Sequence, residues 1–143
     1  LVEHEIKDIP DALMLLEPTA PLRLPEDIDN AINSFIDQDA DSLFSGALLE
    51  DFLIWRKSLK TSKLESVNYD YKVQGPRQER QPDIVENGAI YLFKVQSLLE
   101  NSNRFGGNIC YFKNYFWQSF EIDSKEDWQL VELVYKHYIK TLY

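Results

Sequence analysis

Apolar residues in this chain fall in short runs, separated by stretches rich in Pro, Gly and charge, and the spacing alternates between strand-like and helix-like. Leu1–Asp8 reads as the tail of a helix stopped by Pro10. Asp11–Glu17 holds five consecutive apolar residues, Ala12–Leu16, the pattern of a buried strand. Pro18, Pro21 and Pro25 forbid regular structure after it, and a helix is expected from about Pro25. Ile28, Ile32, Phe35 and Ile36 share one face of that helix. Ser42–Ala47 and Gly88–Phe93 read as core strands, and Phe52–Arg56 with Ser66–Tyr71 as further strands or an arm. Lys72–Glu86 is polar and reads as an active loop or an extension. Val95–Asn101 is a short helix, Gly106-Gly107 a tight turn before a strand at Asn108–Phe112, and Ser119–Asp123 a short strand. Ser124 and Asp127 form a capping box for a last helix running to about Thr141, whose buried side carries Trp128, Val131, Val134, Tyr135, Tyr138 and Leu142. Strands alternating with helices predict an α/β fold with a mainly parallel sheet and flanking helices.

With 143 residues the chain suffices for one domain with its own core and is short for two. Its 44% hydrophobic and 27% charged residues are those of a soluble globular protein. A net charge of −9 argues against a nucleic-acid partner, since phosphate binding needs clustered Lys and Arg. Cys110 is the single cysteine, so no intrachain disulfide forms and a reducing cytoplasm fits. No apolar run is long enough to span a bilayer, and Leu1–Pro10 has no signal-peptide character.

In α/β sheets ligands bind beyond the carboxyl ends of strands, so the Pro18–Arg23 loop and the segment before Asn87 are the places to search. Three clusters carry candidate chemistry. Glu121 and Asp123, at i and i+2 of a strand, would share a face and suit a hard cation such as Mg²⁺; equally, acids there favour the N-terminus of the helix that follows. Arg77-Gln78 is matched downstream by Asn87, Ala89 and Tyr91 on one strand face; a guanidinium binds carboxylate or phosphate, while the plain alternative is a surface Arg, a turn Asn-Gly and a core Tyr. Thr19 and Arg23 could hold a polar ligand at a strand end, or cap a turn and pair with Glu26 or Asp27. His4 and His137 have no partner at metal-binding spacing, and neither a GxSxG nucleophile motif nor a Gly-rich phosphate loop occurs.

LEPTAPLR at Leu16–Arg23, Arg77-Gln78 with ENGAIY at Glu86–Tyr91, and FEIDSKED at Phe120–Asp127 occur in order. With WRK, SVNYDY and NRFGG between them, they resemble the acylneuraminate cytidylyltransferases, across about Asp11 to Tyr143. The resemblance implies a nucleotide-diphospho-sugar-transferase-like fold. It implies transfer of CMP from CTP to a nine-carbon acidic sugar, with release of pyrophosphate and Mg²⁺ as cofactor. By motif match, Glu121 and Asp123 are metal carboxylates, Arg77 and Asp123 catalytic residues, and Glu17, Thr19, Arg23, Arg77, Gln78, Asn87 and Tyr91 substrate-binding residues. The partners implied are CTP, the sugar and a second copy of the chain, joined through a dimerisation arm within about 50–85 and 104–118.

Three departures qualify the match. Glu17 stands where the sialic-acid enzymes have Gln, Ala20 where they have Ser, and Glu121 where they have Asp. A carboxylate at position 17 repels a sugar carboxylate and accepts bonds from hydroxyl or amide groups. The family also opens with a strand and a loop bearing Gly, Ser, Lys and Arg that grips the triphosphate. Nothing similar occurs here, so the expectation is a single, N-terminally truncated domain over 1–143 that is inactive in isolation. The alternative is a non-catalytic, dimer-forming remnant or interaction module of the same fold.

Overall fold

The computed structural model describes residues 9–50, 52–73 and 81–141. The expected helix tail at Leu1–Asp8, the pair Arg77-Gln78 and Leu142 therefore lie outside the described residues. Two compact units divide the chain, one of Leu1–Ala47 with Glu86–Tyr143 and one of Leu48–Val85.

The first unit is built on a four-stranded sheet in the order β1-β5-β2-β6. These strands are β1 (Ala12–Leu15), β2 (Ser42–Leu49), β5 (Asp83–Lys94) and β6 (Ile109–Lys113). β1 pairs antiparallel with β5, from Ala12 opposite Lys94 to Leu15 opposite Tyr91. β2 pairs parallel with β6. Between β5 and β2, the Lys94 N–H donates to the Asp41 carbonyl and the Ile90 N–H to Ser45 Oγ, contacts that run in opposite chain senses, so this pair is antiparallel. The expected mainly parallel sheet is thus corrected to a mixed one. The reason is one strand: β1, β2 and β6 point the same way, and β5 is inserted head-down between β1 and β2, so two of the three pairings become antiparallel.

Helix α1 (Pro25–Asp37) begins where expected. Pro25 occupies its first turn, where no N–H partner is lost, and the Asp27 carboxylate accepts the Leu24 N–H at 2.8 Å. Ala31 and Phe35 are buried, while Ile36, expected on that face, is 66% exposed. The core joins Ala31 and Phe35 to Leu43 of β2 and Ala89, Ile90 and Leu92 of β5. Helix α2 (Val95–Asn101) follows β5 directly. Helix α3 (Lys125–Val134) carries the expected capping box: Ser124 Oγ accepts the Asp127 N–H, and Asp127 Oδ2 accepts the Ser124 N–H. A π-helical turn, Tyr135–Ile139, then ends the helix.

The buried side of α3 differs from the expected one. Val131 and Ile139 are buried, against Leu22 and Leu24, whereas Trp128, Tyr135 and Tyr138 are exposed. The π-turn rotates the register after Val134, which brings Ile139 inward in place of Tyr138.

The expected strand at Ser119–Asp123 is absent. Phe116–Ser119 winds into a 3₁₀ turn instead, because the buried Gln118 accepts the Tyr115 N–H and donates to the Leu22 carbonyl and to Asp27. These bonds pair Gln118 and the Tyr115 N–H without a neighbouring strand, while Ser119 Oγ stays buried without a partner.

The second unit contains a β-hairpin of β3 (Trp55–Lys57) and β4 (Leu64–Ser66). Asn68 secures it by accepting the Ile54 N–H and donating to the Phe52 carbonyl and to Asp83. Trp55 packs against Tyr69 and Tyr71. The hairpin leaves Leu59 and Leu64 exposed to solvent. No described helix is long and apolar enough to cross a membrane.

Candidate functional site

The carboxyl end of β1 leads through Glu17 into the Pro18–Leu24 loop, and the loop that carries Arg104 approaches Glu17. Arg23 fixes the first loop. Its Nη1 donates to the carbonyls of Glu17 (2.9 Å), Ala20 (2.7 Å) and Ala89 of β5 (3.0 Å). Three charge-assisted bonds from one guanidinium tie the loop to the central strand. The Ile122 N–H donates to the Thr19 carbonyl at 2.8 Å, which draws the Glu121–Asp123 segment to the same place.

Gly88 is the floor of this site. Its φ is +64°, which favours glycine, and a β-carbon there would lie 2.5 Å from Glu121 Oε1 and 3.2 Å from Glu17 Oε2. The missing side chain is what lets two carboxylates converge over the strand. Burial raises the Glu121 carboxyl above its ordinary value, and the charges of Glu17, Asp123 and Glu86 push it the same way.

Asn87, just before Gly88, is 1% exposed. Its Oδ1 accepts from Ser45 Oγ (2.6 Å) and the Ala89 N–H (3.3 Å), while its Nδ2 is buried without a hydrogen-bond partner. A buried donor with nothing to donate to is costly and commonly marks a place for a ligand or water.

Tyr91 and Arg104 complete the site. The Tyr91 hydroxyl donates to Glu86 Oε1 at 2.5 Å. Burial, first, and the Glu86 carboxylate push this phenol far above its ordinary value, so it stays a donor. The Arg104 guanidinium lies 3.8 Å from the centre of the Tyr91 ring, donates to Glu86 Oε1 at 3.3 Å, and stands 3.9 Å from Glu17 Oε1.

The loop carrying Arg104 is itself well held. Ser42 Oγ donates to the Gly106 carbonyl and accepts its N–H, Asp41 Oδ2 accepts the Asn108 N–H, and Phe105 packs edge-on against Phe44 and Tyr91.

Two known proteins are similar to this chain, although no family profile matches it. It is 31% identical over 130 residues to the post-translational flagellin modification protein B of Campylobacter coli, a match covering 88% of this chain and 53% of that protein. It is 27% identical over 124 residues to N-acylneuraminate cytidylyltransferase A of Danio rerio, covering 85% of this chain and 28% of that one. The chain thus spans about half the length of the first relative and little over a quarter of the second. The second bears in its name the activity to which the sequence motifs point.

Of the residues singled out from sequence, the fold brings Glu17, Asn87, Tyr91 and Glu121 to one place, with Asp123 at its exposed margin. Thr19 is there through its backbone carbonyl. Arg23 neither faces a ligand through Nη1 nor pairs with Glu26 or Asp27 through it, because that nitrogen is spent on carbonyls. Arg77 and Gln78 lie outside the described residues. Glu121 and Asp123 meet the site from an irregular segment rather than as two members of one strand face. Among the described residues no group of three His, Cys, Asp or Glu side chains forms a closed metal site.

Three residues escaped the sequence reading: Glu86, Ser45 and Arg104. Glu86 and Arg104 sit inside the quoted ENGAIY and NRFGG motifs, but nothing in their spacing shows that one guanidinium spans Glu86, Glu17 and Tyr91. Ser45 lies mid-strand in a run that reads as plain core.

Proposed function

We propose that this chain forms the sugar- and metal-facing side of a nucleotidyltransferase that moves CMP from CTP to a nine-carbon acidic sugar, releasing pyrophosphate. The observation that carries the reading is the meeting of Glu17, Asn87 and Glu121 around Gly88, from three motifs far apart in sequence. The likeness to a cytidylyltransferase supports the same chemistry.

In this reading the sugar's anomeric hydroxyl attacks the α-phosphorus of CTP, and the bond to pyrophosphate breaks. Such transfers ask a protein chiefly for positioning and charge compensation. Asn87 offers its unpaired Nδ2–H to a sugar oxygen. Tyr91 and Glu17 line the same face, Tyr91 with its hydroxyl committed to Glu86. Arg23 holds the loop, and by the motif resemblance alone Thr19, Arg77 and Gln78 are assigned to sugar binding.

The acids fit Mg²⁺ in a limited way. Burial raises the Glu121 carboxyl most, and the charges of Glu17, Asp123 and Glu86 add a repulsion that a divalent cation would relieve. Glu121 and Asp123 supply two protein ligands, and Mg²⁺ commonly completes its shell with water and phosphate oxygens. When bound, it would offset the phosphate charge. A homodimer joined through the exposed apolar hairpin of β3 and β4, and a cytoplasmic setting that supplies CTP, complete the proposal.

The test is incubation of the full natural protein with CTP, Mg²⁺ and, in turn, sialic, legionaminic and pseudaminic acids. CMP-sugar and pyrophosphate should form in equal amounts with at least one of them. Absence of product with all three overturns the reading and favours an interaction module of the same fold.

A further inference from the structure

The two oxygens of Glu17 face different neighbours. Oε1 points to Arg104, 3.9 Å from Nη1, and Oε2 lies over Gly88 beside Glu121. Left to itself, a half-exposed glutamate so close to a second carboxylate would swing toward water, since like charges repel and the side chain has three rotatable bonds. Its backbone is already fixed, because the Glu17 carbonyl accepts from Arg23 and from the Ala20 N–H. Only the side chain needs a restraint.

Arg104 is suited to give it. Its guanidinium is clamped on the Tyr91 face, bonded to Glu86, and carried on a loop pinned by Asp41 and Ser42. A cation already immobilised loses little further freedom when it orients an anion. By contrast, Lys94 is engaged with Asp41 and Asp39, and Arg23 Nη1 with backbone. Arg104 is therefore the described cation that faces Glu17.

We infer that Arg104 is a positioning residue that aims Glu17, so that Glu17 Oε2 acts as the specificity-determining acceptor of the site. Resting on the function proposed above, this narrows the ligand. The sugar presents a hydroxyl or amide N–H to Glu17 Oε2, and its carboxylate lies elsewhere, because Glu17, Glu86 and Glu121 together repel an anion here.

The experiment compares the wild type with Arg104→Ala, Arg104→Lys, Glu17→Gln and the double variant Glu17→Gln/Arg104→Ala, in the full natural protein. The first readout is the crystal structure without ligand. The Glu17 carboxylate should leave Gly88 in Arg104→Ala and remain there in Arg104→Lys; an unmoved Glu17 in Arg104→Ala overturns the inference. The second readout is steady-state kinetics with CTP, Mg²⁺ and whichever of sialic, legionaminic or pseudaminic acid the wild type turns over. Arg104→Ala should raise the sugar KM about tenfold with kcat within about twofold, and in the Glu17→Gln background the same change should cost less than about twofold. Equal losses in both backgrounds overturn the inference, because a merely structural arginine would act independently of Glu17. If the wild type makes no CMP-sugar with any nine-carbon acid while Glu17 still moves in Arg104→Ala, the proposed reaction falls and the positioning role stands.

Discussion

Gly88 and Glu121 are 33 residues apart in sequence, yet a β-carbon on the glycine would lie 2.5 Å from the glutamate's Oε1. The contact makes the absence of a side chain at position 88 a requirement of the site, beyond the demand set by its positive φ. Gly88→Ala should therefore lower stability by about 1–2 kcal/mol, the cost of a left-handed non-glycine residue, and displace Glu121 as well. Urea unfolding measures the first effect, and CMP-sugar formation, expected to fall more than about tenfold, the second. An alanine variant with full activity would show that Glu121 does not need its observed place.

Arg23 holds three carbonyls, so its removal should act on the fold. Arg23→Ala leaves the Glu17, Ala20 and Ala89 carbonyls without that donor and should cost about 2–3 kcal/mol, within the range for charged hydrogen bonds and stranded acceptors. Chemical denaturation is the check. Unchanged stability together with a lost affinity for sugar would return Arg23 to the role of a ligand contact.

Asp27 gives the chain a pH dependence of definite sign. The carboxyl is buried, which raises it above its ordinary value of 3.8, against the lowering effect of its bonds from Leu24 and Gln118. The folded chain therefore holds this proton to higher pH than the unfolded chain does. Well below pH 3.8 both states are protonated and the group is neutral in the balance. As pH rises from there through the folded value, the unfolded state ionises first and stability falls. Asp27→Asn keeps an acceptor for Leu24 and cannot ionise, so its unfolding midpoint should change less between pH 4 and 7. Parallel profiles for the two proteins would remove Asp27 as the cause.

Asp123 is exposed, and its backbone N–H, not its carboxylate, joins the helix cap through Asp127 Oδ2. Asp123→Asn should leave the thermal midpoint within a degree or two, as for most surface changes, and reduce pyrophosphate release at least a hundredfold. Raising Mg²⁺ should recover part of the loss. Near-normal turnover at low Mg²⁺ would take Asp123 out of the metal site.

The core strands, α1, α2 and the capping box of α3 were legible because their signals are local: apolar runs, a 3.6-residue period, Pro25 at a helix start and Ser124 before Asp127. β5, however, begins at Asp83, inside the polar stretch read as a loop, and the hairpin strands fall at Trp55–Lys57 and Leu64–Ser66. Two elements misled for a shared reason. Ser119–Asp123 alternates like a strand, but Gln118 finds buried partners in Leu22 and Asp27, more than ninety residues back in the chain. The final helix has a continuous apolar stripe, but a π-turn after Val134 exchanges Tyr138 for Ile139.

The sequence by itself determined the core strands and the helix starts, the three motifs with their order, and the unusual glutamate at position 17. Those properties reside in single residues and short windows, where backbone sterics and hydrophobic period act. Tertiary structure alone decided the reversed course of β5 between β1 and β2, the meeting of Glu17 and Glu121 over Gly88, the use of Arg23 as a clamp, and the place of Arg104 on Tyr91. Each of these depends on which distant groups a charge or a buried donor finds within a few ångströms, and a one-dimensional pattern carries no such distance.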